Sequence, residues 1–477
     1  MFKKVLIANR GEVALRIIRA CKELGIKTVA IYSEADVRSL YVKKADEAYL
    51  IPGDPIRAYL DYVRIVDLAR QVGAEAIHPG YGFLAENADF ARYCQRRGIT
   101  FIGPTPEQID TFGDKVKAKK VMEEAGLPTV PGIPEPVTEV EDALKFAREI
   151  GFPVMLKAAY GGGGRGMRVV HSEEELRTAF ESAYREAETF FGKGDIFIER
   201  YLDNPKHIEV QVLGDKYGNI IHLGERDCSI QRRHQKLIEI APSPALPRDL
   251  RMKILGNAVR ALMRVGYENA GTLEFLVDVR TGEYYFIEMN TRLQVEHTIT
   301  EAITGVDIVE TMIKIAAGEP LPFLQSDVTY RGYAIEFRIN AEDPKKGFAP
   351  SPGKITAYYS PGGPGVRIDA GVYKDYIIPP YYDSMIAKMT VWALTWEKVV
   401  ARARRAIDEF IVRGVPTNIP LYREIIRDPD FLRGDFGVKF LEEKIQKGEY
   451  DFAIEGEVDR EDIVLAISAA IAAHYGL

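Results

Sequence analysis

The amino-acid sequence predicts a multidomain protein that combines an α/β part with an α+β part. At 477 residues the chain is long enough for two to four domains, each with its own core. Its first 32 residues contain an apolar run, a segment with apolar residues at helical spacing and a second apolar run, which is a βαβ unit. After about residue 204, strand patterns with a period of two follow one another through short turns, as in antiparallel sheets.

Composition restricts the possible classes of protein. With 46% hydrophobic and 28% charged residues, the chain is typical of soluble globular proteins. A net charge of −7 disfavours non-specific binding to nucleic acid. Three widely spaced cysteines indicate reduced thiols. The apolar run after Met1 is too short for a signal peptide, and no segment reaches the length of a membrane span, so we expect a cytoplasmic protein without membrane contact.

Residues 1–113 are predicted to form a Rossmann-like domain with a parallel sheet. Val13, Ile17, Cys21 and Leu24 recur at helical spacing between two apolar runs. No Gly-x-Gly-x-x-Gly follows the first strand, so the sequence does not support NAD binding. Residues 78–87 read as a Gly/Pro loop that leads into a helix, and a structural and a functional role are equally open for them.

A glycine-rich loop dominates the next segment, which we interpret as a mobile lid over residues 130–203. Four consecutive glycines at 161–164 favour backbone N–H groups that approach an anion closely, and the alternative is a flexible hairpin tip. Lys157 precedes this loop on a strand and could meet a phosphate. Lys115 alone would be an ordinary surface lysine. Residues 199–202 end a strand that could supply a slot for adenine, although many strands could.

The run from residue 225 to residue 236 is rich in cations. It could be a nucleic-acid patch, a solvated loop or a cradle for small anions. The acidic net charge disfavours the nucleic-acid patch, and the carboxylate-rich hairpin that follows favours the anion cradle. Basic neighbours could lower the pKa of Cys228, but a reduced core cysteine is the simpler interpretation and we predict no catalytic role. His207, at the start of a preceding strand pattern, is more typical of a structural histidine than of a ligand.

Polar residues alternate with apolar ones between residues 286 and 297. Glu288, Asn290, Arg292, Gln294 and Glu296 all fall on even numbers. A period of two places them on one face if the segment is extended.

A second strand pattern at 272–278 precedes this stretch, and the turn between them is centred on Thr281. In the antiparallel hairpin this predicts, Glu274 lies opposite Glu288 with Cβ atoms about 5 Å apart, where like charges repel. A divalent cation would relieve the repulsion, and oxygen ligands with the nearby Asn290 suit Mg²⁺ or Mn²⁺. An edge hairpin with a solvated charged face is the alternative.

The sequence pattern of residues 331–445 predicts a small β-rich domain followed by helices. Glu336, Arg338 and Asn340 share one face of its first strand. From this pattern alone, Arg338 is interpreted as an exposed arginine on a strand. The tail, residues 446–477, predicts a helix from about 460 to 474 that is apolar nearly all round and should be buried. It either packs on its own chain or docks a partner subunit.

Taken together, these segments resemble the ATP-grasp ligases in order and spacing from Lys115 to Asn290. Residues 78–87, 225–236 and 288–297, with Arg338, resemble one branch of them, the biotin carboxylases, over about residues 1–445. The resemblance implies an ATP-grasp domain at 114–330 between the Rossmann-like domain and a biotin carboxylase C-terminal domain. The sequence departs from the family pattern at residue 200, which is arginine here and usually lysine in the family.

The resemblance also implies a role for each site residue. ATP would be held by Lys115, Lys157, Gly163, Gly164, Glu199, Arg200, Tyr201, Leu202, His207, Gln231, His234 and Leu276. Two Mg²⁺ or Mn²⁺ ions would be held by Glu274, Glu288 and Asn290. Bicarbonate would be held by Lys236, Arg292, Gln294 and the backbone of Val295. Glu296 would be the general base, and Arg338 would bind biotin and stabilise its enolate.

The reaction implied is the ATP-dependent carboxylation of biotin by bicarbonate through carboxyphosphate. No Met-Lys-Met biotinylation sequence occurs, so we expect biotin on a separate carrier protein, and the family suggests a homodimer. The longer C-terminus favours a subunit of a pyruvate or 2-oxoglutarate carboxylase, with an acyl-CoA carboxylase such as acetyl-CoA carboxylase as the alternative. A ligase that joins a carboxylate to an amine and a nucleotide-binding regulator with a degenerate site are the rival functions.

Overall fold

The structure, a computed structural model, describes residues 1–133, 136–158, 167–191 and 196–452. The glycines at 161–164 and the predicted tail helix lie outside these residues. Among the helices within them, none is both long and apolar enough to cross a membrane.

The N-terminal segment contains the predicted parallel sheet, with strand order β3-β2-β1-β4-β5. Val5 and Ile7 pack with the first helix on one face, and Leu6 and Ala8 pack with the third and fourth helices on the other. Helices on both faces explain why these strands are apolar without alternation. The elements are β1 (Lys4–Ile7), α1 (Gly11–Glu23), β2 (Lys27–Tyr32), α2 (Leu40–Lys44), β3 (Glu47–Leu50), α3 (Tyr62–Gln71), β4 (Ala76–His78), α4 (Ala88–Arg96), β5 (Thr100–Phe101) and α5 (Pro106–Gly113).

A three-stranded sheet of order β7-β6-β8 and two helices form the region predicted as a lid. The Ser172 hydroxyl accepts the Glu175 N–H at the start of the second helix (3.3 Å). Leu176, Phe180 and Ala183 face the core of this region. The elements of this region are α7 (Val140–Ile150), β6 (Val154–Ala158), β7 (Met167–Val170), α8 (Glu173–Phe191) and β8 (Ile196–Arg200), and α6 (Lys115–Glu124) precedes them.

An eight-stranded sheet joins the middle of the chain to its C-terminal part, in the order β13-β12-β9-β10-β11-β14-β21-β19. Its middle-segment elements are β9 (Lys206–Gly214), β10 (Ile220–Arg232), β11 (Gln235–Ala241), α9 (Arg248–Val265), β12 (Asn269–Asp278), β13 (Glu283–Asn290), α10 (His297–Thr304) and α11 (Ile308–Ala316). The C-terminal elements are β14 (Tyr333–Asn340), β15 (Glu342–Asp343), β16 (Ala349–Pro350), β17 (Gly353–Lys354), β18 (Ala357–Tyr359), β19 (Val366–Ala370), β20 (Ile377–Ile378), β21 (Met385–Ala393), α12 (Trp396–Glu409), β22 (Ile411–Arg413), α13 (Ile419–Ile425), α14 (Pro429–Arg433) and α15 (Phe440–Gln446).

The two faces of the large sheet differ in chemistry. On β9, Ile208, Val210 and Val212 pack against α9 in an apolar core. The residues between them, Glu209 and Gln211, are equally buried but polar. Because side chains alternate along a strand, one face of the sheet is a core and the other is a buried polar surface. This polar surface positions the candidate site.

The packing of α9 against the sheet gives a stability prediction. Leu262 is fully buried in this core, whereas its neighbour Met263 is 56% exposed. We expect Leu262→Ala to lower the free energy of unfolding by about 2–5 kcal/mol, because it leaves a cavity. Met263→Ala should change it by about 0.5 kcal/mol or less. Chemical denaturation measures both, and equal losses would contradict the described packing.

Candidate functional site

The structure pairs Glu274 with Glu288 across the hairpin of β12 and β13, as the sequence predicted. The register of the hairpin between these acids and the turn differs from the prediction. Beyond Glu274 the pairing shifts by one residue at a β-bulge, so Asp278 lies opposite Glu283 at the turn. The bulge compensates for the turn and brings the two acids into register.

The predicted extended segment is wrong beyond Asn290, where β13 ends. The Thr291 N–H donates to Glu86 (3.1 Å) instead of to a neighbouring strand, and the chain then turns into α10. Arg292, Gln294 and Glu296 therefore lie on a loop and not on one strand face.

The Lys236 ammonium lies among three carboxylates at the centre of the polar surface. It forms a short contact with Glu209 and lies 2.9 Å from Glu274 and 3.1 Å from Glu296. Burial alone would lower the pKa of Lys236, but the three carboxylates outweigh it and raise that pKa well above its ordinary value. Lys236 is therefore charged at neutral pH and joins the hairpin to the loop before α10.

Sequence reasoning missed Glu209, which also accepts from the fully buried Arg226 (3.1 Å). Burial opposes ionisation of Glu209, but Lys236 and Arg226 outweigh it and lower its pKa. A signal was present, because His207, Glu209 and Gln211 alternate with apolar residues along β9.

Glu296 and Arg338 are neighbours. One Arg338 nitrogen lies 3.1 Å from Glu296, and Arg338 Nε donates to Glu239 at 2.6 Å. Burial and Glu209 raise the pKa of Glu296, but Lys236 and Arg338 outweigh them and lower it, so Glu296 is an anion at neutral pH. Sequence reasoning also missed Glu239, whose position beside Arg338 follows from the pairing of β11 with β14.

Arg292 is held on two sides. Its Nε donates to Glu86 at 2.9 Å, and a terminal nitrogen donates to Asn290 Oδ1 at 2.9 Å. Asn290 in turn donates to Glu274 at 2.8 Å. Arg292 therefore contacts one member of this hydrogen-bonded pair, Asn290, and Lys236 contacts the other, Glu274. Gln294 is buried, and within the part of the chain that the structure describes its Nε2 has no hydrogen-bond partner.

His207 closes the other side of the acidic cluster. Its Nε2 lies 2.9 Å from Glu274, and its Nδ1 lies 3.1 Å from Gln231. Burial would lower the pKa of His207, but Glu209 and Glu274 raise it to about 9. A protonated imidazole donates and does not ligate a metal. Leu276 lies directly opposite His207 on β12.

Among the remaining residues predicted to bind ATP, only Lys115 forms an ion pair with one of the two paired hairpin acids within the described part of the chain. Lys115 is exposed and lies 3.6 Å from Glu288, and Lys157 forms an ion pair with Glu199. Arg200 turns away, donating to the Ile150 carbonyl at 3.0 Å. The other members are Tyr201, which is half-buried, Leu202, which is buried, and His234, which is exposed between β10 and β11. Gly163 and Gly164 lie outside the described residues.

The donor set of the hairpin fits a hard divalent cation. Glu274, Glu288 and Asn290 offer carboxylate and amide oxygens, the ligands that Mg²⁺ and Mn²⁺ prefer. Cys228, which lies near two of the buried acids, is a poorer candidate because burial raises its pKa well above the ordinary value. Its thiol therefore stays protonated at neutral pH.

A parallel-sheet domain followed by an antiparallel sheet with paired acids and nearby lysines is the arrangement of an ATP-grasp ligase. Sequence models of three families match in order: "Biotin carboxylase, N-terminal domain" over residues 1–109, "Carbamoyl-phosphate synthase L chain, ATP binding domain" over 114–324 and "Biotin carboxylase C-terminal domain" over 336–443.

Known proteins are similar over the whole chain. The "2-oxoglutarate carboxylase small subunit" of Hydrogenobacter thermophilus is 57% identical over 477 residues, all of both chains. A pyruvate carboxylase subunit of Methanothermobacter thermautotrophicus is 53% identical over 93% of this chain and 90% of its own. The solved biotin carboxylase domain dimer of the Hydrogenobacter thermophilus 2-oxoglutarate carboxylase, in complex with MgADP, ADP and bicarbonate, has a TM-score of 0.84 at 57% identity and covers 96% of this chain and 100% of that one. The chain therefore belongs to the biotin carboxylase family, the ATP-dependent carbon–nitrogen ligases that carboxylate biotin.

The ion pair between Glu86 and Arg292 gives a kinetic prediction. Glu86→Gln removes a charge-assisted hydrogen bond worth about 1.5–3 kcal/mol, so we expect the KM for bicarbonate to rise about tenfold. The KM for ATP should stay near its original value, because Glu86 contacts the loop and not the predicted nucleotide site. Steady-state kinetics measures both constants. Asp89→Asn, an exposed acid on the following helix, is the control. An unchanged bicarbonate KM in Glu86→Gln would contradict the role given to this pair.

Proposed function

We propose that this biotin carboxylase assembles its two reactants at Lys236. The observation that supports this is the position of the Lys236 ammonium, 2.9 Å from the hairpin acid Glu274 and 3.1 Å from Glu296. One cation thus links the side proposed for the nucleotide and its metals to the side proposed for bicarbonate. A reaction between a terminal phosphate and a one-carbon acid needs these two sides within contact distance.

ATP is bound on the hairpin side in this proposal. Lys115 and Lys157 neutralise phosphate charge, and Gly163 and Gly164 offer backbone N–H groups to it. The base is held by backbone and apolar groups, so the outward turn of the Arg200 side chain leaves its role unaffected. The proposed set around the base and ribose is Glu199, Arg200, Tyr201, Leu202, His207, Gln231, His234 and Leu276.

Glu274, Glu288 and Asn290 hold two Mg²⁺ or Mn²⁺ ions in the proposal. Bound there, the ions neutralise charge that develops on the phosphates during transfer. Lys115 and Lys236 already lie beside the two acids, at 3.6 Å and 2.9 Å. Each of the two acids therefore already has a positively charged neighbour.

Bicarbonate is held by Lys236, Arg292, Gln294 and the backbone of Val295. Glu296, an anion at neutral pH, takes the bicarbonate proton as an oxygen attacks the γ-phosphate and ADP leaves. The carboxyphosphate formed breaks into CO₂ and phosphate. That phosphate takes the N1′ proton of biotin, Arg338 stabilises the resulting enolate, and N1′ attacks CO₂. The 3.1 Å contact between Arg338 and Glu296 places the two steps side by side.

Biotin is carried by a separate carrier or carboxyltransferase subunit in this proposal, and the chain forms a homodimer in the cytoplasm. A dimer is the state given for the similar solved structure. We propose domains at residues 1–113, 114–330 with the lid, 331–445 and a tail at 446–477.

The final carboxyl acceptor is proposed to be 2-oxoglutarate, because the match to the 2-oxoglutarate carboxylase small subunit extends over all 477 residues and includes the tail. Pyruvate is the second candidate, supported by the 53% identity to the pyruvate carboxylase subunit of Methanothermobacter thermautotrophicus. Co-purification with the biotinylated partner, followed by carboxylation assays with each 2-oxo acid, distinguishes them.

Bicarbonate-dependent ATP hydrolysis that free biotin stimulates is the activity to measure. We expect both dependences in the purified chain with Mg²⁺ or Mn²⁺. Stimulation by an amine or amino acid in place of biotin would contradict the proposal and favour a different ATP-grasp ligase. ATP binding without turnover would favour a regulator.

Two substitutions separate binding from chemistry. We expect Glu296→Ala and Arg338→Ala to reduce biotin carboxylation by about 10²–10⁴-fold, the usual contribution of a general base or a positioned charge. The affinity for ATP, measured by calorimetry, should stay nearly unchanged. Arg280→Ala, at an exposed position of the hairpin turn, is the control. A large loss of ATP affinity in either variant would count against these assignments.

A further inference from the structure

A second buried cation lies beside Arg338. Lys388 on β21 pairs directly with Arg338 on β14, so both side chains project from the same face of the sheet. Lys388 is fully buried. Like charges at paired positions repel, and a buried ammonium is strongly unfavourable unless carboxylates and acceptors surround it. The position therefore needs an explanation.

The contacts of Lys388 lead to the loop before α10. Its ammonium donates to the Val295 carbonyl at 2.7 Å and lies 3.3 Å from Glu12. It also lies 5.7 Å from the centre of the Tyr81 ring. Burial would lower the pKa of Lys388, but Glu12, Glu336 and Asp369 outweigh it and raise that pKa. Lys388 is a cation at neutral pH.

Glu12 extends this contact into the N-terminal segment. It lies in the first turn of α1, is buried, and accepts a short hydrogen bond from the Tyr81 hydroxyl. Tyr81 belongs to the loop at residues 78–87, for which the sequence left structural and functional roles open. One ion pair thus connects α1 and this loop, the loop before α10 and β21.

We propose that the Lys388–Glu12 pair is a positioning device that holds the Val295–Glu296 peptide in place beside the reacting groups and anchors it to α1 and, through Tyr81, to the loop at residues 78–87. The inference rests on the proposed function, in which Val295 and Glu296 face bicarbonate. Lys388 contacts neither reactant in this proposal and acts through the backbone carbonyl that it binds.

The other supports of this loop are the reason why such a device is needed. Lys236 and Arg338 contact the Glu296 carboxylate, at 3.1 Å each, and both are assigned to reactants during turnover. Their contacts with Glu296 change when bicarbonate and biotin bind. The hydrogen bond from Lys388 to the Val295 carbonyl uses neither the Glu296 carboxylate nor a side chain assigned to a reactant. It can therefore hold the peptide plane throughout the cycle.

The test uses the enzyme with Lys388→Met and Glu12→Gln combined, which removes both charges of the pair together. Asp369 keeps its ion pair with Arg367 (2.6 Å), and Glu336 keeps its hydrogen bond from the Thr298 hydroxyl. The matched control is Lys444→Met with Asp428→Asn, another lysine beside a buried acid (3.1 Å) but within the C-terminal helices. The measurements are the KM values for ATP and bicarbonate and the number of ATP molecules hydrolysed per biotin carboxylated. Circular dichroism verifies folding.

We expect the KM for bicarbonate to rise by about 10- to 100-fold in the double variant, together with more ATP hydrolysed per biotin carboxylated, because small misplacement of a reacting group has effects of this size. The KM for ATP should change by about twofold or less, because neither Lys388 nor Glu12 is assigned to ATP. All constants of the control should also change by about twofold or less, because its pair lies away from the loop before α10. A folded double variant with unchanged bicarbonate KM and coupling would overturn the proposal, as would equal losses in the control.

Glu12→Gln alone keeps the test decisive if the double variant does not fold. It conserves shape and hydrogen bonding to Tyr81 but removes the charge, so the bicarbonate KM should rise in the same direction by a smaller factor. An unchanged value in folded Glu12→Gln would also overturn the proposal. Failure of the unaltered enzyme to hydrolyse ATP in response to bicarbonate would instead contradict the proposed function itself.

Discussion

The interaction on which the site depends is the contact of Lys236 with three carboxylates, Glu209, Glu274 and Glu296. Each of these acids is buried, and a buried carboxylate without a partner is strongly disfavoured. The lysine makes their proximity possible, and Arg226 supports it by contacting Glu209 from the other side. The acids come from β9, β12 and the loop before α10, so one cation fixes three parts of the fold against one another.

The eight-stranded sheet makes this arrangement possible. It continues from the hairpin of β12 and β13, through β9, β10 and β11, to β14 and β21. Residues that would belong to separate domains by sequence therefore share one polar surface. Arg338 and Lys388 pair directly on β14 and β21, and α10 packs against both strands, so the loop before α10 lies within reach of both cations. The charged groups of the site are distributed along the sheet, with the hairpin acids towards one edge and the paired cations Arg338 and Lys388 towards the other.

Local patterns allowed part of this to be predicted. The parallel N-terminal sheet follows from apolar runs and helical spacing, and the pairing of Glu274 with Glu288 follows from the turn between two strands. The end of β13 at Asn290 does not follow from a local pattern. It depends on Glu86, more than 200 residues earlier, which accepts the Thr291 N–H. Glu239 and Lys388 escaped prediction for the same reason, since their partners are set by long-range strand pairing. The individual roles in the proposed reaction came from the family resemblance and not from periodicity.

The central claim is that Glu274 and Glu288 face each other in order to share divalent cations next to Lys236. Anomalous diffraction from crystals grown with Mn²⁺ and a non-hydrolysable ATP analogue tests it most directly. The account predicts Mn²⁺ peaks bridging the two carboxylates, with Asn290 among the ligands and the terminal phosphate on the side of Lys236. An ordered nucleotide without Mn²⁺ at these two acids, or with Mn²⁺ bound at other residues, would contradict it.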